Sequence, residues 1–232
     1  MAIVPNSRIL GILTMREQLR EAWSKTITPD DYEAHMAAVG QAQANAALVA
    51  EYLQAQPPAR HASLLFAGAG TGQMFDYVSP EILLPFNVTF TDINAAYLNR
   101  LRSRLAHAPG LRYATVVDDL ERTTLQRRFE LVVAVLVLEH IDWRAGLAAL
   151  CNLTDRELFV VLQENPLDTD LAISAVRKIP ETMQIFTKVH PTLVPNADLQ
   201  AEMKRRNFQR TFAGHKSVAD GKKMRAFAFW RS

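Results

Sequence analysis

The chain has 232 residues, 49% of them hydrophobic and 22% charged, with a net charge of +2 at neutral pH. That balance fits a globular protein of one large domain with an appendage, and it excludes bulk attraction to nucleic acid or to a membrane surface. One cysteine, Cys151, excludes a disulfide framework and any zinc site built on two or more thiolates.

The opening "MAIVPNSRILGILTM" is interrupted by Pro5, Asn6 and Arg8, so it lacks the unbroken apolar core of a signal peptide. No later stretch reaches the ~18 apolar residues of a spanning helix, and the reading is a cytoplasmic protein with no membrane partner. "TMRE" (Thr14–Glu17) is a capping box, followed by Met15, Leu19 and Trp23 at four-residue spacing. "TPDD" starts a second helix, with Thr28 as cap, Pro29 in the first turn and acids at the positive end. This Ala-rich helix is expected to run to about Leu53, before Pro57 and Pro58. Residues 1–56 thus read as a helical lid.

From His61 the pattern changes to short apolar runs alternating with helices. "ASLLFA", "NVTFTD", "RYATVVDD", "FELVVAVLVL" and "ELFVVLQEN" are strands. "NAAYLNRLRSRLA", capped by Asn94, and "DWRAGLAALCNL" are helices, the second placing Cys151 in the core. Residues 166–195 read as a cap insertion with one or two short helices. "NADLQAEMKRRN" is a last helix, with Lys204–Arg206 complementing its C-terminal dipole. "FQRTFAGHKSV" and "MRAFAFW" flank the Asp220–Gly221 turn signal and read as a closing hairpin. The expected fold class is α/β: a doubly wound, mostly parallel seven-stranded sheet with a closing antiparallel hairpin over residues 57–232.

"LLFAGAGTGQMFDYV" (Leu64–Val78) carries the functional signal: a strand, then Gly68, Gly70 and Gly72 at alternate positions, then an expected helix. Glycines let backbone approach a ligand closely, and a helix N-terminus favours negative charge. In an open parallel sheet the ligand lies beyond the carboxyl ends of the strands. Strand two ends there in Asp92, about 20 residues after Gly72, where a carboxylate can accept both ribose hydroxyls. Strand three ends in Asp118–Asp119, strand four in "VLEHI" and strand five in "QEN". A dinucleotide fingerprint needs a third glycine where this chain has Gln73, so a single nucleoside with a small zwitterionic tail fits better.

With "LLFAGAGTGQ", "VTFTDIN", "VVDDL" and "FELVVAVLVLEHI" in this order, the chain resembles class I S-adenosylmethionine-dependent methyltransferases over roughly residues 55–165. One departure is Ala67, where many members carry an acid. The resemblance implies S-adenosylmethionine as cofactor. Gly68, Ala69, Gly70 and Gly72 would line its methionyl and ribose part. Asp92 would take the ribose hydroxyls, Ile93 would lie against the adenine, and Asp119 (or Asp118, one place back) would meet the adenine amino group beside the Leu120 backbone. Ala134 or Val135 would present backbone near the cofactor's amino group. Simpler readings stand beside these: the glycines as a tight turn, Asp92 as a helix cap, the paired acids as solvated.

Three residues are candidates for acid–base work: His140 and Glu139 after strand four, and His190 in the insertion. Tyr32, His35 and Met36 are expected to cover the same pocket, which should be mostly apolar with few polar anchors. No metal site is expected. There is no Asn-Pro-Pro-Tyr segment or cysteine nucleophile after strand four, and no basic groove with interleaved aromatics. The reading is therefore methyl transfer to a small-molecule acceptor, with no nucleic-acid partner. The alternatives are a methyltransferase acting on protein or RNA with a partner, and a non-catalytic cofactor-binding module.

Overall fold

Seven strands form one sheet: β1 (Ala62–Ala67), β2 (Phe86–Asp92), β3 (Arg112–Val117), β4 (Phe129–Val135), β5 (Thr154–Glu164), β6 (Phe208–Ser217) and β7 (Lys223–Arg231). Their order is β3-β2-β1-β4-β5-β7-β6. The first five are parallel, β7 runs antiparallel to β5, and β6 closes the edge as a hairpin with β7. The computed structural model describes residues 14–56, 61–166, 179–188, 191–218 and 221–232.

The near-continuous apolar runs of the central strands have a direct cause. Successive side chains on a strand point to opposite faces, and here both faces are covered. Leu64 and Phe66 of β1, with Leu131 and Val133 of β4, pack under the helices α3 (Gln41–Gln54) and α4 (Ala95–Leu105). Leu65 and Ala67, with Val132 and Ala134, pack on the other face against α5 (Trp143–Leu153) and α6 (Asn196–Arg205). Phe90, Phe129 and Phe159 are among the fully buried side chains, and truncating one to alanine costs about 3–5 kcal/mol. Cys151 is core, with its thiol 3.8 Å from Met203 Sδ and its pKa pushed up to about 11 by burial.

The N-terminal segment begins with the expected capping box, in which Thr14 and Glu17 exchange hydrogen bonds at the start of α1 (Met15–Glu21). A π-turn over Ala22–Thr26 follows, then α2 (Pro29–Ala38), capped by Thr28. A third apolar cluster joins Leu19, Ala22 and Ile27 to Tyr97 of α4 and to Met183 and Phe186 of the insertion. Asp31 adds a polar stitch: one carboxylate oxygen accepts from Thr182 N at 2.8 Å and from Thr182 Oγ1 at 2.7 Å. Helix α2 and the 3-10 segment Glu181–Thr187 are thereby held together.

Three expectations are corrected. The single helix expected to reach Leu53 is two helices, because Gly40 at φ +71° leaves the helical region and restarts the chain as α3. The glycine turn leads not to an α-helix but to two 3-10 turns, Gln73–Asp76 and Pro80–Leu83, the second set by Ser79–Pro80. Strand β4 stops at Val135 rather than Leu138, since Leu136 takes φ +54° and turns the chain into the 3-10 segment Leu138–His140.

Candidate functional site

A cavity of about 210 Å³ lies at the carboxyl ends of the parallel strands, beneath α1, α2 and the insertion. Its floor is the glycine turn. Gly68, Gly70 and Gly72 all have positive φ, at 67°, 58° and 69°, a region that disfavours side chains. At Gly68 a Cβ would also lie 2.5 Å from Val137 Cγ2, so glycine is required there twice over. Ala69 N donates to Thr91 O at 2.7 Å, and Gly70 N donates to Asp92 Oδ2 at 2.8 Å, which pins the turn to the end of β2.

Asp92 does more than either sequence reading assigned. It is 8% exposed and accepts from Gly70 N and, at 2.9 Å, from Asn94 N. Asn94, not Asp92, caps α4 through Ala96 N. Burial pushes the Asp92 carboxyl up to about 6, against the lowering pull of its backbone hydrogen bonds. Asp118 and Asp119 differ in their commitments. Asp118 Oδ1 accepts from Thr124 N and Thr124 Oγ1, closing its own loop. Asp119 Oδ1 caps the 3-10 turn at Glu121, and its Oδ2 lies 2.7 Å from Arg20 of α1.

The far end of the cavity lies at β4 and β5. Glu139 is 4% exposed; its Oε1 accepts from Gln163 N at 2.8 Å, and its Oε2 has no hydrogen-bond partner among the described residues. Burial pushes this carboxyl up to about 7. Gln163 also accepts from Gln41 of α3 at 2.9 Å. The His140 ring lies edge-on to Trp23 with centroids 4.6 Å apart, and its Nδ1 likewise lacks a partner among the described residues. Desolvation pulls His140 down to about 4, so the ring is neutral at pH 7. Tyr32 reaches over the glycine turn, its Oη 3.3 Å from where a Gly70 Cβ would stand.

The predicted residues Gly68, Ala69, Gly70, Gly72, Asp92, Ile93, Asp118, Asp119, Leu120 and Val135 all line this one cavity. So do Glu139, His140, Tyr32, His35 and Met36, with Met183 and Pro191 of the insertion. Ala134 lies beneath it, 2% exposed in the α5 face of the core. His190 lies outside the described residues. Polar groups are more numerous than expected. Arg20, Trp23, Gln41 and Asn45 join the wall although sequence reading did not single them out as site residues. For α1 and α3 the only signal was helical periodicity, which marks a packed face without saying what it packs against.

A doubly wound sheet with this strand order, a cavity at its carboxyl edge, a glycine floor and an acid at the end of β2 are the features of a Rossmann-like fold. The profile of a family described as "Methyltransferase domain" matches residues 65–156, the segment holding the floor of the cavity and β1 to β4. No curated protein matches the chain at the sequence level. Among solved structures, magnesium protoporphyrin IX methyltransferase ChlM from Synechocystis PCC 6803, with bound SAM, is similar with a TM-score of 0.71 and 18% identity, covering 95% of this chain and 99% of that one. Glycopeptide N-methyltransferase MtfA, complexed with S-adenosyl-L-methionine, gives 0.59 and 17% over 82% and 95%. Geranyl diphosphate C-methyltransferase from Streptomyces coelicolor A3(2) gives 0.58 and 10% over 80% and 79%. At these identities the structures establish the fold, and the profile match concerns residues 65–156. Residues 65–156 thus match a methyltransferase domain, set in a Rossmann-like fold that the chain shares with these structures. Among the described residues no helix is long and apolar enough to cross a membrane, and no cluster of three or more metal-ligating side chains occurs.

Proposed function

We propose that the chain is an S-adenosylmethionine-dependent methyltransferase that methylates a small molecule held between the sheet edge and the helices α1 and α2. The observation that carries this is the continuity of one cavity from the glycine turn to Glu139, His140 and Gln163, covered by Trp23, Tyr32 and Met183. A partly covered, mostly apolar cavity with few polar anchors suits a small acceptor.

The wall fits the cofactor. Among the described residues of the wall, Asp92, Asp118, Asp119, Glu121 and Glu139 face one arginine, Arg20, which suits a ligand of net positive charge. When bound, the cofactor supplies a methyl group on a sulfonium, open to in-line attack. In this reading the turn Gly68–Gly72 brings backbone against the methionyl and ribose part. Asp92 accepts from ribose hydroxyls, and Ile93 lies against adenine. Asp119, or Asp118 one place back, meets the adenine amino group; Asp118 Oδ1 accepts from Thr124, and at Asp119 the amino group would compete with Arg20 for Oδ2. Leu120 and Val135 offer backbone. Of the two candidate bases, Glu139 at about 7 is better matched to neutral pH than His140 at about 4. His140 then serves as part of the aromatic wall with Trp23.

Calorimetry is expected to give micromolar-range binding of S-adenosylmethionine or its demethylated product, and no binding of NAD. Asp92→Ala should weaken the product complex by about 2–4 kcal/mol, since it removes the ribose acceptor and the Gly70 tether together. In a cell extract given methyl-labelled cofactor, label should enter the low-mass filtrate. Label confined to protein or RNA would overturn the small-molecule reading.

A further inference from the structure

The carboxylates of the cavity are not equivalent. Asp92 is held by Gly70 N and Asn94 N, Asp118 by Thr124, and Asp119 by Arg20. Glu121 Oε1 accepts from Asp142 N at 3.0 Å. Glu139 differs: it is 4% exposed, and its Oε2 meets no hydrogen-bond donor among the described residues. It stands at the β4–β5 end of the cavity, where its Oε1 accepts from Gln163 N. Asn45 Oδ1, one helical turn along α3 from Gln41, is another buried oxygen of this wall without a partner among the described residues. An ionised carboxylate can only accept, and leaving it unpaired in an apolar enclosure is costly. A cationic donor entering the cavity would supply both the missing hydrogen bond and the compensating charge. Among the described residues of the wall Arg20 is the one arginine or lysine, and it is paired with Asp119.

We propose that the methyl acceptor is an amine, which enters as an ammonium ion with Glu139 as its counter-ion and Trp23 and Tyr32 as its aromatic wall. The inference rests on the small-molecule reading above and gives it a substrate class. The edge-to-face cage of Trp23 with Tyr32, centroids 6.0 Å apart, and with His140 is an environment in which a cation beside a ring face is attracted. The ammonium gives one proton to the Glu139 carboxylate. The freed nitrogen lone pair forms a C–N bond to the methyl carbon as the C–S bond breaks, its electron pair stays on sulfur, and the product leaves as the methylated ammonium. Burial, which raises the Glu139 carboxyl toward neutrality, makes it a competent proton acceptor near pH 7. An anionic acceptor would face the same carboxylate with no compensating charge.

The test uses the whole chain saturated with S-adenosylhomocysteine. Three probes of similar size are titrated by calorimetry: 2-phenylethylamine, 2-phenylethanol and 3-phenylpropanoate. The amine should bind at least about ten-fold tighter than either analogue, and Glu139→Gln should erase that preference while cofactor-product affinity stays within about two-fold. The alcohol or carboxylate binding as tightly as the amine, absence of amine binding at millimolar concentration, or a preference retained in Glu139→Gln would overturn the proposal. The wild-type comparison needs no variant to fold. Failure to bind S-adenosylhomocysteine at the outset is a separate result and would overturn the underlying cofactor reading instead.

Discussion

Two carboxyl groups, Asp92 and Glu139, are buried at the edge of the sheet and held in opposite ways. Asp92 has its charge shared by two backbone N–H groups, and Glu139 has one oxygen satisfied and one not. Both are raised above the ordinary carboxylate range, so both contribute stability in their protonated forms. That contribution is complete below the unfolded value of about 4.5 for Glu139 and is lost as pH rises through about 7. Its neighbour His140 runs the other way: its contribution is present above 6.5 and lost as pH falls through about 4. Glu139→Gln keeps an oxygen for Gln163 N and removes the charge. The variant should therefore be more stable than wild type at pH 8, by an amount on the order of 1–3 kcal/mol, and the gain should vanish below about pH 5. Thermal unfolding from pH 4 to 9 measures this; a gain independent of pH would show that the carboxylate is charge-compensated in the folded chain. A stabilising substitution at a group proposed to bind substrate would be the usual trade between stability and activity.

Among the elements, α1 is tied down mostly by charge. Arg16 reaches Asp142 at 2.8 Å and Arg20 reaches Asp119 at 2.7 Å, while Leu19 supplies the apolar contact. Partly exposed ion pairs of this kind are worth about 0–1 kcal/mol each, so α1 is held by weak, reversible links. Arg20 also occupies one of the two acids proposed to meet the adenine amino group. Arg20→Ala should make α1 more susceptible to limited proteolysis in the cofactor-free protein. It should leave affinity for S-adenosylhomocysteine unchanged or raise it by no more than about five-fold, as expected when a competing partner worth under about 1 kcal/mol is removed. A large loss of affinity would mean that Arg20 contacts the cofactor rather than competing with it. Helix α2 is fixed differently, by the Asp31–Thr182 hydrogen bonds and by a salt-bridged triad in which Arg104 of α4 pairs with Glu33 at 2.9 Å and Asp76 at 2.7 Å.

On the scale of the molecule, the covering elements form a layer distinct from the two cores that flank the sheet. The cluster of Leu19, Ala22, Ile27, Tyr97, Met183 and Phe186 spans the N-terminal helices, α4 and the insertion. It is smaller than the cores on either sheet face, and regions with fewer buried contacts open at lower free-energy cost. Ligand that fills the cavity beneath must bind the closed arrangement better than the open one. Hydrogen exchange should therefore slow in 14–38 and 179–188 together when S-adenosylhomocysteine is added, while amides of β1, β4 and β5 change little. Protection confined to the glycine turn, with none in the covering segments, would show that the cover moves independently of the site.

Much of this architecture was legible in the chain because its causes are local. Period-two and period-3.6 burial, the caps Thr14, Thr28, Asn94 and Asp142, and the alternate glycines each depend on residues within a few positions of one another. They suffice for the strand–helix alternation, the hairpin, the glycine turn and the acid at the end of β2. The break at Gly40 was also local, but alanine-rich helix propensity on both sides masked it. What the sequence could not carry is the set of partners made by the fold. Gln163 N reaches Glu139 across 24 residues because β4 and β5 lie side by side, and Arg20 reaches Asp119 only because α1 lies over the end of β3. Asp118 and Asp119 differ in their partners only once Thr124 folds back onto the first and Arg20 reaches the second. Whether Glu139 or His140 suits proton transfer is decided by burial, which raises one and lowers the other, and burial is a property of everything packed around a side chain rather than of its neighbours in the chain.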